Sequence, residues 1–214
     1  MGTLAVGGVK AAELDAVTLD AHGTLVRMLD PVPTLVEALA ALGVERKPEA
    51  VLAGFRTEAA HYVPRASEGR DEESLAGLQR DSARVFLDAV DVDLDAEEFA
   101  PVYVGAIRFE PIPGVVDSLR RLRALGLSLA VVGNWDLTLH RHLRELGLDH
   151  FFAAVVHAAG KPAPDGLLQG LAELGVAPAR ALHIGDDEVD ERAARAAGMR
   201  FAPAPVADAV AQIA

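Results

Sequence analysis

The hydrophobic rhythm of the chain changes twice. Ala16-Val17-Thr18-Leu19 is a short, nearly all-apolar run that ends in a carboxylate, Asp20, and the turn-like Ala21-His22-Gly23-Thr24-Leu25 follows at once. A run that short and that apolar predicts a buried strand. From about residue 31 to residue 108 the period becomes helical. Leu35, Leu39 and Leu42 share a face closed by Gly43, and Val51, Leu52, Phe55 and Ala59 mark a helix over Pro48 to Val63, stopped at Pro64. After the polar Ser67 to Asp71, Glu72 to Val90 reads as a longer helix. Asp95 to Phe109 reads as another, with Asp95 as its cap and Glu97 and Glu98 in its first turn. These four helices with no strand among them predict a small bundle.

Pro111-Ile112-Pro113-Gly114 marks the return to a different pattern. Continuous apolar runs at Leu127 to Val132, Phe151 to Val156, Ala181 to Ile184 and Met199 to Ala202 now alternate with helical stripes. The stripes are Val115/Leu119/Leu122/Leu125, Leu139/Leu143/Leu146, Leu167/Leu171/Leu174 and Ala193 to Ala197, and each ends at a glycine. Strands apolar throughout and separated by helices belong to a parallel sheet covered on both faces. The expected fold is therefore α/β, a Rossmann-like parallel sheet with helices on both faces. Residues 1–26 and 110–214 would form this core, and residues 27–109 would be a helical domain inserted after the first strand.

Charge and composition narrow the partners. The formal net charge is -12, a field that repels nucleic acid and anionic membrane, so neither is expected. There is no cysteine, which excludes thiol catalysis and thiolate metal sites and suits a cytoplasmic location. Met1 to Val9 is apolar and Gly-rich but lacks a basic front end, so it does not read as a signal peptide. No run approaches the ~18 apolar residues of a membrane span. Nothing in the sequence fixes an oligomeric state.

In open α/β sheets ligands sit beyond the carboxyl ends of the strands. The residues after each apolar run here are Asp20 and His22, then Gly133, Asn134 and Asp136, then Lys161, then Gly185-Asp186-Asp187-Glu188-Val189-Asp190. Carboxylates, an amide and one ammonium converge on one sheet edge. Asp20 and Asp186 can offer hard oxygen ligands to Mg2+, and Lys161 can balance them and hold a substrate oxygen. A small anionic substrate fits that set, because the site is locally cationic once the ion is bound.

With Asp20-Ala21-His22-Gly23-Thr24-Leu25, then Lys161-Pro162, then Gly185-Asp186-Asp187 and Asp190, the chain resembles the haloacid dehalogenase superfamily of hydrolases. The likeness runs over nearly the whole chain, and the position of the insertion matches the helical cap of the first cap class. The resemblance implies that Asp20 is a nucleophile that becomes transiently phosphorylated, that His22 and Lys161 are the other catalytic groups, and that Thr24, Gly133 and Asn134 contact substrate. It implies a Mg2+ ion held by Asp20, the backbone carbonyl of His22, Asp186 and Asp190. Asp187 is open between a supporting role and a solvated helix start, and Glu188 reads as the latter. The activity implied is a Mg2+-dependent phosphatase of small phosphorylated metabolites.

Two positions depart from the family pattern. His22 stands where phosphatases of the superfamily carry an acid/base Asp, and Asp20-Ala21-His22-Gly23-Thr24 is close to the Asp-Ala-Tyr-Gly-Thr of 2-haloacid dehalogenases. Gly133 stands where the family has Ser or Thr. An imidazole can serve as general acid and base, whereas the lost hydroxyl removes a donor to the transferring group. The alternatives are therefore a 2-haloacid dehalogenase-like or phosphonatase-like hydrolase, or a non-catalytic binding protein. Against the dehalogenase stands Gly185-Asp186-Asp187, because that branch works without a metal and its corresponding motif resembles Ser-x-Asn-x-x-Asp. His61, Tyr62, Arg65 and Arg70 are candidate substrate contacts or a solvent-facing rim. Trp135 would line the cleft or plug it. His140 and His142, two apart on a helix, do not make a metal pair. His183, inside a strand, reads as a hydrogen-bonded core residue.

Overall fold

The computed structural model describes residues 10–213; the reading of Met1 to Val9 lies outside them. In chain order the elements are β1 Ala16–Leu19, β2 Val26–Met28, α1 Val32–Ala41, α2 Pro48–Tyr62, α3 Glu72–Ala89, α4 Ala96–Ala106 and β3 Phe109–Pro111. Then follow α5 Val115–Ala124, β4 Ser128–Val132, α6 Leu139–Glu145, β5 Ala154–Val156, α7 Asp165–Leu174, β6 Ala181–Gly185, α8 Glu188–Ala196, β7 Arg200–Pro203 and α9 Val206–Ala211. The chain divides into two compact units, one of residues 1–27 with 110–214 and one of residues 28–109. Among the described residues no helix is long and apolar enough to cross a membrane.

The first unit is a five-stranded sheet in the order β5-β4-β1-β6-β7. Every pairing is parallel, with Leu19 opposite Val131 on one side and Ile184 on the other. β1 lies in the middle and all four of its residues are buried, which is why its sequence shows no in-out alternation. Asp20 therefore leaves the sheet at its centre, flanked by the ends of β4 and β6. Ala16, Val132, Val156, Leu167, Leu171 and Ala193 belong to one buried cluster between sheet and helices. Gly170 lets α7 lie close to the sheet: a Cβ there would come to 3.1 Å from Val132 Cγ2.

The second unit packs α1 to α4 around Leu35, Leu39, Val51, Phe86, Phe99 and Tyr103. The rings of Phe86 and Phe99 stack at 6.0 Å, and Tyr103 tilts against Phe86 at 4.9 Å. Gly54 sits where α2 approaches the end of α3, since a Cβ would lie 2.4 Å from Val90 Cγ1. Asp71 caps α3 by accepting from the Ser74 N–H at 2.9 Å, and Asp95 caps α4 by accepting from Glu97 and Glu98. One charged side chain is buried here. Glu58 accepts from the Tyr103 hydroxyl at 2.6 Å, and burial pushes its carboxyl up, with the Tyr103 bond opposing.

Three boundaries differ from the sequence pattern. The last helix of the insertion ends at Ala106 rather than Phe109, because Phe109–Pro111 pairs with Val26–Met28 as a two-stranded sheet. Strands of three residues carry too little periodicity to be seen. Past Tyr62 the chain tightens into a 3₁₀ turn, Val63–Glu68, instead of ending at Pro64. Asp149–Phe151 is likewise a 3₁₀ turn, so β5 begins at Ala154 and not at Phe151.

Candidate active site

Every residue that the strand-end rule singles out lies in the first unit, and two of the carboxylates meet on one ammonium. Lys161 Nζ is 2.5 Å from Asp20 Oδ1 and 2.5 Å from Asp190 Oδ1. All three side chains are buried. Asp186 is exposed, yet one oxygen from each of Asp20, Asp186 and Asp190 lies within 4.8 Å of the others.

The backbone explains how they meet. Gly23 turns the chain in the left-handed region, φ 81°, and a Cβ there would fall 2.1 Å from Asp186 Oδ2. Only glycine leaves room for that carboxylate. Thr24, fully buried, donates its hydroxyl to Asp186 Oδ1 at 3.3 Å. Gly185 makes the same allowance for Asp190, whose Cγ would be 2.4 Å from an added Cβ. Gly166, at the start of α7, lets that helix press on Ala159, where a Cβ would meet the backbone oxygen at 2.6 Å. The segment that carries Lys161 is thus held from below.

Asn134 holds the same segment from the side. Its amide donates to the Lys161 carbonyl at 2.8 Å and its oxygen accepts from the Lys161 N–H at 2.8 Å. Its side chain is a clamp on the lysine backbone. The Gly133 N–H, expected to face substrate, donates to the Val156 carbonyl at 3.0 Å and so continues the sheet. Thr24 serves Asp186 in the same way.

The electrostatics follow from burial and pairing. Burial pushes the Asp20 carboxyl up, and the Asp190 charge adds to that against the pull of Lys161. Burial opposes the Lys161 charge, but Asp20 and Asp190 outweigh it and raise its pKa. Asp190 is pushed up by burial and pulled down further by the His183 bond and by Lys161, ending at about 2. The site holds one ammonium among three carboxylates, a formal excess of two negative charges.

His183 is buried completely and touches this cluster. Its Nε2 lies 3.2 Å from Asp190 Oδ1 and its Nδ1 is 2.8 Å from the Thr18 hydroxyl. Burial lowers its pKa against the pull of the Asp190 bond. Sequence reasoning placed it in the core without the link to Asp190. The only signal was two polar residues, Thr18 and His183, at the centres of otherwise apolar strands.

The remaining candidates make other contacts. His22 is exposed, with its ring 6.4 Å from that of Trp135. Trp135 is buried and donates its Nε1–H to Thr138 Oγ1 at 3.2 Å, while Asp136 accepts from the Thr138 N–H at 2.8 Å. Asp187 is the cap of α8 and accepts from the Val189 N–H at 3.3 Å. His140 meets His157 at 5.4 Å and His142 meets Trp135 at 5.7 Å, so the two histidines do face apart. In the helical unit, Arg65 pairs with Glu68 and Asp81 and contacts His61, and Arg70 donates to the Ser67 carbonyl. There these side chains tie their own unit together.

A family model of haloacid dehalogenase-like hydrolases matches residues 14–198. The chain belongs to that family. This hydrolase is 31% identical over 209 residues to the human haloacid dehalogenase-like hydrolase domain-containing protein 3, across 87% of this chain and 80% of that one. It is 29% identical over 200 residues to a phosphoglycolate phosphatase of Pseudomonas putida, across 86% of this chain and 66% of the relative. The L-2-haloacid dehalogenase of Xanthobacter autotrophicus with chloropropionic acid covalently bound superposes with a TM-score of 0.63, over 89% of this chain and 77% of that one at 24% identity. That last likeness is one of fold.

Proposed function

We propose that this hydrolase is a Mg2+-dependent phosphatase of a small phosphorylated metabolite and that it works through an aspartyl-phosphate on Asp20. The observation that carries the reading is the charge set: Asp20, Asp186 and Asp190 converge within 4.8 Å, with Lys161 paired to Asp20 and Asp190. Oxygen-only ligands and two excess negative charges fit a hard divalent ion. So does the space that Gly23 leaves for Asp186. Asp20, Asp186 and the His22 carbonyl would hold the ion, with Asp190 completing the cluster beside Lys161. When bound, Mg2+ supplies charge neutralisation at the transferring phosphoryl group.

The chain's own groups do the rest. The Asp20 carboxylate, fixed at the end of the central strand, attacks phosphorus; the Asp20 O–P bond forms and the bond to the leaving oxygen breaks. His22 gives that oxygen its proton. It then takes one from water, which attacks phosphorus and releases phosphate, regenerating the Asp20 carboxylate. Lys161, locked between two carboxylates, stays charged and steadies the phosphoryl oxygens. The phosphatase named among the relatives supports a phosphorylated substrate, which this reading extends to the present chain.

The test is turnover of p-nitrophenyl phosphate. Activity should require Mg2+, vanish with chelator and vanish in Asp20→Asn, which keeps the shape but not the nucleophile. Residual activity above a few per cent in Asp20→Asn would sink the covalent route. Halide release from a 2-haloacid that ignores chelator would establish the dehalogenase instead.

A further inference from the structure

We propose that His183 is a positioning residue of this site, fixing Asp190 and through it the direction of the Lys161 ammonium; this rests on the phosphatase reading above. His183 stands at the middle of β6, opposite Thr18 of β1 and Phe201 of β7. A buried strand position between those neighbours calls for an apolar side chain, and a fully buried imidazole needs both nitrogens met. Both are met. The Thr18 hydroxyl is 2.8 Å from Nδ1, and Asp190 Oδ1 is 3.2 Å from Nε2. If the Thr18 hydroxyl donates a hydrogen bond to Nδ1, the neutral ring carries its proton on Nε2 and donates a hydrogen bond from there to Asp190.

Asp190 is then held at every polar point. Oδ1 accepts from His183 and from Lys161 Nζ at 2.5 Å, Oδ2 accepts from the Asp187 N–H at 3.3 Å, and Gly185 packs directly against the carboxylate. A carboxylate so fixed cannot swing, and neither can the ammonium that rests on it. Lys161 has three donors, and Asp190 and Asp20 set the direction of two. The line Thr18–His183–Asp190–Lys161–Asp20 thus runs from the sheet interior to the nucleophile. Asp190 belongs to the family pattern, and the imidazole stands behind it in the strand interior.

The experiment compares wild type with His183→Leu, His183→Gln and Thr18→Val, reading kcat and KM for p-nitrophenyl phosphate with Mg2+ beside thermal midpoints. His183→Leu should lower kcat by roughly 10–100-fold, the range for lost outer-shell partners of a metal site, with KM little changed. His183→Gln, which can aim an amide N–H at Asp190, should recover most of that loss. Thr18→Val, close in shape, should lower kcat several-fold while folding normally. A folded His183→Leu protein with wild-type kcat would overturn the proposal, as would effects that simply add to those of Asp190→Asn. If the wild type turns over no aryl phosphate, the phosphatase reading fails. The positioning claim is then decided by ¹⁵N NMR of the ring: the Nε2–H tautomer supports it and the Nδ1–H tautomer overturns it.

Discussion

The carboxamide of Asn134 grips the peptide of Lys161 on both sides, with its amide and its oxygen each 2.8 Å from the lysine backbone. The two residues follow different strands of the sheet, so the clamp ties the end of β4 to the segment beyond β5. A lysine on a four-carbon stem is positioned only as well as its backbone is. The site therefore holds Lys161 twice, by Asn134 at the main chain and by Asp20 and Asp190 at the ammonium.

Asn134→Ala should then act as a lysine variant at a distance. Misplacing a catalytic group by about 1 Å can cost ~10²-fold, so kcat on p-nitrophenyl phosphate should fall by roughly that factor, toward the level of Lys161→Met. Asn134→Ala in a Lys161→Met background should add little. A full further loss in the double variant would show that Asn134 acts on substrate directly.

Gly23 and Gly43 offer a controlled comparison. Both have φ 81°, but an added Cβ at Gly43 meets nothing within 4 Å, whereas at Gly23 it meets Asp186 Oδ2 at 2.1 Å. Gly43→Ala should cost only the left-handed penalty, on the order of 1–2 kcal/mol. Gly23→Ala should cost more and should also weaken Mg2+ binding at least ~10-fold, since Asp186 must move. Calorimetric titration of Mg2+ into both variants checks this; equal affinities would remove Asp186 from the ion's ligands.

Much of this was legible in the sequence, and the limits have a physical origin. The strand ends were readable because four-to-six-residue apolar runs bounded by Gly and Asp mark buried parallel strands, and in open α/β sheets ligands sit beyond the carboxyl ends of the strands. The ribbon of β2 and β3 was not, because its strands have three residues each and the whole of residues 29–108 lies between them. The partnership of Thr18 with His183 depends on strand register across 165 residues, which no local pattern encodes. Gly133 and Asn134 stand at the end of β4, as the apolar run before them implies. Their bonds to Val156 and Lys161 could not be foreseen, because a strand-end residue may face either the ligand or the neighbouring loop.

In the helical unit, Glu58 predicts a pH dependence of stability. Burial raises its folded pKa above the ordinary value of 4.5, so folding favours the protonated acid. That contribution is fully present below 4.5 and is lost as pH rises through the raised folded value. At neutral pH the buried charge is a net cost. Glu58→Gln keeps an acceptor for the Tyr103 hydroxyl and removes the charge, so its thermal midpoint should exceed wild type at pH 7 and converge with it near pH 4. A lower midpoint at pH 7 would mean the ionised pair is itself stabilising.

The two departures from the family pattern can be reversed separately and together. A side chain at Gly133 has room: its Cβ would meet Ala21 Cβ and Leu139 Cδ2 at 3.6 Å, ordinary contact, with no left-handed backbone to strain. Gly133→Ser should therefore fold with little change in midpoint. It restores a hydroxyl donor worth on the order of 10²-fold in kcat where such donors have been removed from enzymes. His22→Asp puts back the usual acid and base. His22→Ala should slow breakdown of the aspartyl-phosphate, giving a burst of about one p-nitrophenolate per site before slow turnover. The hydroxyl would act on charge at phosphorus and the acid on the leaving oxygen, so the gains from Gly133→Ser and His22→Asp should multiply. A Gly133→Ser protein no faster than wild type would mean that an existing donor already fills that role. A His22→Ala protein with no burst and full turnover would assign the proton transfers to another group.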